Sequence, residues 1–284
     1  MTFLDVDSVC HDFVERGLFG RRTGFLRALD SVSFQVSEAE AFGIVGETGS
    51  GKSTLGKIIA GIQRPTSGRV SLVGETIASH SMMPGREGRA TLQYVYQDPG
   101  ASLDPRWTIR RSLHEPLVIH TNFPKHERDA KINGMLAALE LPFTLLDRYP
   151  REISGGQQRR VGLARVLLLA PRIVIFDEPT SGLDTLVRSS VLRLLEDLRK
   201  EFRLTYLMIS HDINVVSSIC DRVAVMRQGR VVEIGQVNEL MLNPMHPYSR
   251  SLIMASPRIG GVRLTDDPEV HGGSIREQKP SPTR

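Results

Sequence analysis

Apolar and polar residues alternate through the first forty positions, as in Phe3-Leu4-Asp5-Val6 and Val32-Ser33-Phe34-Gln35-Val36. A period of two with one wet face predicts short strands, paired antiparallel. A loop rich in Gly and Arg, from Gly17 to Gly24, separates them. At Ala41-Phe42-Gly43-Ile44-Val45 the pattern becomes continuously apolar and runs into a glycine-rich turn. A helix is predicted from about Lys52 through Ile58, Ile59 and Ala60, closed by Gly61 and Pro65. Residues 68–96 read as further strands, ending in Leu92-Gln93-Tyr94-Val95-Tyr96. From about 102 to 170 the period turns helical, with Met135, Leu136, Leu139 and Leu141 spaced along one face. Pro105, Pro116, Pro124, Pro142 and Pro150 divide this stretch into short pieces.

The run Ile173-Val174-Ile175-Phe176 is apolar without interruption, as a parallel strand covered on both faces requires. A helix follows over about 186–202, then a strand over 204–209 that ends at Ser210-His211. Another helix leads to strands 222–226 and 230–233, which turn at Gln228-Gly229. Strands alternating with helices predict an α/β fold with a parallel sheet. The helical stretch 102–160 reads as an inserted subdomain, and the antiparallel strands as an N-terminal β subdomain. The whole forms one domain over residues 1–255. The tail, 256–284, is polar and rich in Gly, Pro and charge, and is expected to be disordered.

Charge and composition narrow the class. The net charge is +4, from 36 basic and 32 acidic residues, and the basic residues are dispersed. Nucleic-acid binders concentrate them on one face, so nucleic acid is not an expected partner. With two cysteines, Cys10 and Cys220, and no CxxC pair, neither a thiolate metal site nor a disulfide framework is expected. No apolar run approaches the ~20 residues that span a bilayer. The N-terminus lacks the basic-then-apolar pattern of a signal peptide. A cytoplasmic chain that meets a membrane only through a partner is the expectation.

Residues Gly46-Glu47-Thr48-Gly49-Ser50-Gly51-Lys52-Ser53 match G-x-x-x-x-G-K-[ST] in full. Glycines let the backbone curl until successive N–H groups face phosphate oxygens, and the following helix, with Thr54 in its first turn, adds its positive end. Lys52 is placed to reach the β- and γ-phosphates of ATP, and Ser53 to ligate Mg²⁺. The predicted core is therefore that of a P-loop NTPase, RecA-like. Asp177-Glu178 follows the second apolar strand, and ligands of parallel sheets bind beyond the carboxyl ends of strands. Asp177 is expected at the Mg²⁺ and Glu178 at the attacking water. The plain alternative is a solvated acidic pair. His211, at the end of the next strand, is a candidate partner of the γ-phosphate and the water.

Further residues carry a family resemblance. Ile153-Ser154-Gly155-Gly156-Gln157 resembles the signature of ABC ATPases, whose usual form begins with Leu. Tyr96-Gln97-Asp98-Pro99 resembles their Q-loop, Ser181-Gly182-Leu183-Asp184 their D-loop, and Ser210-His211-Asp212 their switch histidine. Ala101-Ser102-Leu103-Asp104-Pro105-Arg106 and Asn243-Pro244-Met245-His246-Pro247-Tyr248 are similar to the ATP-binding subunits of oligopeptide, dipeptide and nickel importers. A cysteine-containing segment near the C-terminus, present in many relatives, has no counterpart after Cys220.

The resemblance implies an ATPase that energises import, peripheral on the cytoplasmic face of the inner membrane. It implies two multi-span permeases, a second ATPase subunit (self or paralogue) and a solute-binding protein as partners. Gln97 would join Glu178 and His211 in catalysis and contact Mg²⁺. Ser154, Gly155, Gly156, Gln157 and Asp184 would meet the nucleotide of the facing subunit. Phe13 is the candidate for stacking on adenine, with Phe19 behind it. Leu103, Trp107 and Ile109 are expected as exposed apolar anchors for the permeases. Peptide, nickel, opine and sugar-like cargoes stay open. The alternatives are a non-transport ABC ATPase acting on nucleic acid or ribosomes, and a cassette that binds ATP without turnover.

Overall fold

The computed structural model describes residues 2–16, 22–96 and 98–256. The alternating N-terminal pattern forms two long strands, β1 (Leu4–Arg16) and β2 (Arg22–Val36), paired antiparallel. Leu4, Val6, Val9, Leu29 and Val32 point into a core at 0–1% exposure, while the intervening polar residues stay wet. The continuous run is β3 (Ala41–Val45), buried at every position, and it leads through the glycine-rich turn into α1 (Lys52–Ile59). Strands β4 (Ser67–Leu72) and β5 (Glu75–Ser79) complete an antiparallel sheet of order β2-β1-β4-β5.

The strand expectation for 68–96 is corrected in two places. A short helix, α2 (Arg86–Thr91), interrupts it after Pro84-Gly85, and six residues are too few for a helical period to register. The next strand, β6 (Leu92–Val95), leaves the antiparallel sheet and pairs parallel with a distant strand, β7 (Ile173–Asp177).

Between β6 and β7 lie α3 (Ile109–His120), α4 (Lys125–Ala138) and α5 (Gly155–Leu167). Pro124, Pro142 and Pro150 stand at element starts, where a missing N–H costs nothing. Pro116 differs: it lies inside α3 and does not divide the chain. The apolar stripe Ile109, Leu113 and Leu117, each fully buried, holds that helix across the lost bond.

This packing overturns the anchor expectation. Leu103 and Ile109 are 6% and 0% exposed and belong to the core beneath the helices, so neither offers a surface. Trp107 is half-buried, its ring covered by the Arg111 guanidinium 3.9 Å from the centroid.

The chain continues through α6 (Thr185–Phe202), β8 (Thr205–Ser210), α7 (Ile213–Ile219), β9 (Arg222–Arg227), β10 (Arg230–Gln236), α8 (Val237–Leu242) and α9 (Pro247–Ala255). The second sheet has order β10-β9-β3-β8-β7-β6, and only β10 runs antiparallel to its neighbour. This is the α/β architecture predicted from the pattern. Register pairs Val45 with Ser210 and Asp177 with Ile209, so β3, β7 and β8 end side by side. Among the described residues, no helix is long and apolar enough to cross a membrane, and Cys10 and Cys220 are free thiols. The tail expected to be disordered lies outside the described residues from 257 onward.

Replacing Ile109 by Ala should lower the unfolding free energy by about 2–5 kcal/mol, the range for a buried aliphatic truncation. Urea unfolding of the full chain measures it. Unchanged stability would return Ile109 to the surface.

Candidate active site

The loop after β3 closes around its own lysine. Lys52 Nζ donates to Gly46 O at 2.7 Å, Glu47 O at 2.9 Å and Ser50 Oγ at 3.4 Å. The side chain is only 5% exposed. Desolvation lowers the Lys52 pKa from its ordinary value, against the opposing attraction of Glu178, Asp177 and Glu47. Two glycines make the curl possible. A Cβ on Gly46 would meet Met226 O at 2.1 Å. Gly51 adopts φ +102°, and a Cβ there would meet Ala28 O at 2.5 Å. The strand and the antiparallel sheet thus grip the loop from two sides.

Because β7 ends at the same edge of the sheet as β3, one strand removed across β8, Asp177 reaches the loop. Ser53 Oγ donates to Asp177 Oδ1 at 2.9 Å, and Tyr94 OH donates to Asp177 Oδ2 at 2.5 Å. Burial first, and the Asp177 hydrogen bond second, push the Tyr94 phenol far above its ordinary pKa, so it stays a donor. Tyr94 escaped the sequence reading because an apolar strand reads the same with or without one phenol.

Glu178 takes φ +55°, a left-handed conformation that carries a cost for a side chain with a Cβ. Its N–H donates to Ile209 O at 2.9 Å, which fixes the strained turn against β8. There the Glu178 carboxylate meets the end of that strand: Glu178 Oε2 lies 2.7 Å from His211 Nδ1. The segment carrying the imidazole is itself braced. Asp212 N–H donates to Ser210 Oγ at 3.0 Å, and Arg188 of α6 binds the Asp212 carboxylate at 2.9 Å.

A cavity of about 550 Å³ opens over these groups. Thr48, Gly49, Gly51, Lys52, Ser53 and Thr54 form one wall, and Glu178, Ser181 and His211 another. Phe13 and Leu26, facing residues of β1 and β2, form a third. Phe13 is 41% exposed and sits edge-on to His11 at 4.7 Å. The arrangement can take a polyanion against the Lys52 loop, an aromatic ring against Phe13, and a water beside Glu178.

Ser154, Gly155, Gly156, Gln157 and Asp184 line no part of this cavity. Ser154 caps α5, with Ser154 Oγ accepting from Gln157 N at 3.2 Å and Gln157 Oε1 accepting from Ser154 N at 3.0 Å. Asp184 caps α6 by accepting from Val187 N at 2.9 Å. Ser154, Gly155 and Gly156 are exposed. Gln97 and Phe19 lie outside the described residues.

A hard-cation site can be tested on its donor set. Ser53 and Asp177 offer two adjacent oxygens, which suits Mg²⁺. Among the described residues no group of three His, Cys, Asp or Glu could hold a metal alone, so phosphate oxygens would have to complete the shell. The residues fit Mg²⁺ on those terms. One further contact was not legible in sequence: Glu47 N–H donates to Tyr248 OH of α9 at 3.0 Å.

Known proteins resemble this chain over most of its length. The ABC transporter family profile matches residues 29–181. The oligopeptide transport ATP-binding protein AppF of Bacillus subtilis is 43% identical over 258 residues, covering 90% of this chain and 78% of that one. The dipeptide transport ATP-binding protein DppF of Escherichia coli is 41% identical over 254 residues, covering 89% and 76%. Among solved structures, cbiO1 from Clostridium perfringens, part of the ABC transporter complex cbiONQ, is similar with a TM-score of 0.71 at 29% identity, over 85% of this chain and 91% of that one. An ATP-binding cassette solved as a dimer in a post-hydrolysis state with ADP and Pi has a TM-score of 0.69 at 27% identity, over 82% and 98%.

Replacing Lys52 by Ala should weaken ATP binding at least roughly tenfold, since it deletes the buried cation that faces the polyanion. Isothermal titration with ATP and Mg²⁺ measures it, and an unchanged Kd would dissociate the loop from phosphate.

Proposed function

The chain belongs to the ABC transporter family, and from that premise we propose that it is the ATP-binding and ATP-hydrolysing subunit of an importer for peptides or a related small solute. The observation that carries the hydrolytic half is the meeting of Glu178 and His211 at 2.7 Å in the same cavity as Lys52. The transport half is supported by the curated relatives, which are oligopeptide and dipeptide transport ATP-binding proteins.

Each side chain then has a task. The backbone N–H groups from Thr48 to Thr54 and the Lys52 ammonium bind the phosphates of ATP. Ser53 and Asp177 hold Mg²⁺, with Gln97 as a further contact. When bound, that ion neutralises charge on the transferring phosphoryl group. Phe13, at the edge of the antiparallel sheet, takes the adenine. Glu178 orients a water and draws its proton, and His211 steadies both Glu178 and the γ-phosphate. The strained φ of Glu178 supports this reading, because a costly conformation persists where its side chain must be aimed.

The cavity is built from one side only. Ser154, Gly155, Gly156 and Gln157 at the start of α5, and Asp184 at the start of α6, stand away from it. Exposed N–H groups at a helix start bind anions. We assign them to the nucleotide of a second ATPase subunit, self or paralogue, packed head to tail. That a similar ATP-binding cassette is dimeric in a post-hydrolysis state with ADP and Pi supports a second subunit. Hydrolysis then removes the γ-phosphate contacts that join the two subunits. Two multi-span permeases and a solute-binding protein complete the assembly, with this chain peripheral on the cytoplasmic face of the inner membrane.

Replacing Glu178 by Gln tests the assignment. ATP binding should survive, while steady-state phosphate release falls by about 10²-fold or more, the scale for a lost general base. ATP should also trap the variant as a dimer in size-exclusion chromatography. Wild-type turnover would remove Glu178 from catalysis.

A further inference from the structure

The contact between α9 and the phosphate loop falls on one peptide unit. Gly46 O, which accepts from Lys52 Nζ at 2.7 Å, and Glu47 N, which donates to Tyr248 OH at 3.0 Å, belong to the same planar amide. Turning that plane to break one bond turns it away from the other. Its N-terminal neighbour is a glycine at φ +156°, with no Cβ to resist rotation of the adjoining peptide. The carbonyl that orients the buried lysine thus belongs to a peptide whose glycine packs against β9, and the phenol of Tyr248 holds the same peptide from its N–H side.

Tyr248 is itself seated from several directions. Both oxygens of Glu233, on β10, accept N–H groups ahead of α9: Met245 N at 2.8 Å and His246 N at 3.0 Å. His246 Nδ1 accepts from Tyr248 N at 3.1 Å and caps the helix. The Arg227 guanidinium, from β9, lies 4.9 Å from the centre of the Tyr248 ring. The phenol oxygen is thus held by two strands of the sheet that also carries the loop. Hydrogen bonding at an amide N–H also polarises its carbonyl, which strengthens the bond that Gly46 O makes to the Lys52 ammonium.

We infer that Tyr248 is a positioning residue for ATP, latching the Gly46–Glu47 peptide so that Lys52 is aimed at the phosphates, and that nucleotide affinity depends on the seating of α9. This inference rests on the ATP-site reading above. Tyr248 does not line the cavity and acts through the loop.

The Tyr248→Phe variant keeps the ring over Arg227 and deletes only the acceptor. ATP binding, with Mg²⁺, is titrated calorimetrically on the full chain for wild type and variant, and the nucleotide-free melting temperature of both is recorded. The expected result is a Kd for ATP raised roughly three- to tenfold, the scale of one lost hydrogen bond. The nucleotide-free Tm stays unchanged. In steady state, KM for ATP rises while kcat is retained. Equal affinity in wild type and variant overturns the latch and leaves the ATP site standing. Weaker binding with a matching fall in nucleotide-free Tm also overturns it, since Tyr248 would then be a general stability residue. Failure of the wild type itself to bind ATP overturns the underlying reading and the latch with it.

Discussion

One desolvated ammonium organises this structure. Lys52 is almost fully buried, and its own loop turns three oxygens toward it. Loop oxygens alone leave a positive charge without a counter-charge, and the acidic groups at the end of β7 lie close enough to be felt. Burying a cation this way costs free energy unless an anion completes it. Phosphate is the anion that fits a curled backbone at a helix start. The rest of the fold follows from the need to hold that geometry. A strand buried at every position gives the loop a rigid root, and its parallel neighbour β8, with β7 beyond it, ends at the same edge of the sheet.

The parallel register then does the chemical assembly. Asp177 and His211 are far apart in sequence, yet Asp177 pairs with Ile209 across β7 and β8, two residues before the histidine. Glu178 completes the contact by turning out of the strand into a left-handed conformation. The Glu178–His211 pair, to which we assign hydrolysis, therefore exists only in the folded sheet. Ser154–Gln157 and Asp184 sit on helix starts of their own, outside the cavity. On the proposed reading a lone chain presents half of two sites, and an ATP-dependent pairing of subunits follows from it.

Legibility tracked how local each signal was. The phosphate loop, the Asp177-Glu178 pair and His211 stood out because contiguous residues and strand ends carry them. The parallel strands at 41–45 and 173–177 stood out because two-sided burial leaves an unbroken apolar run. Tyr94 and Tyr248 were invisible as site neighbours, since their contacts bridge 83 and 201 residues of sequence. The 243–248 segment had drawn notice only through resemblance, and its seat beside the loop is a tertiary fact. Leu103 and Ile109 failed for the converse reason: their anchor role came from resemblance alone, and an apolar residue beside a motif reads alike whether it meets a partner or its own core.

What this chain assembles with in its native membrane decides its role most directly. Tagged, mildly solubilised from native membranes and purified, it should bring down two multi-span permeases with a second ATPase subunit, and the complex should hydrolyse ATP. Recovery instead as a soluble chain on ribosomes or nucleic acid would contradict the importer reading and favour a non-transport ATPase.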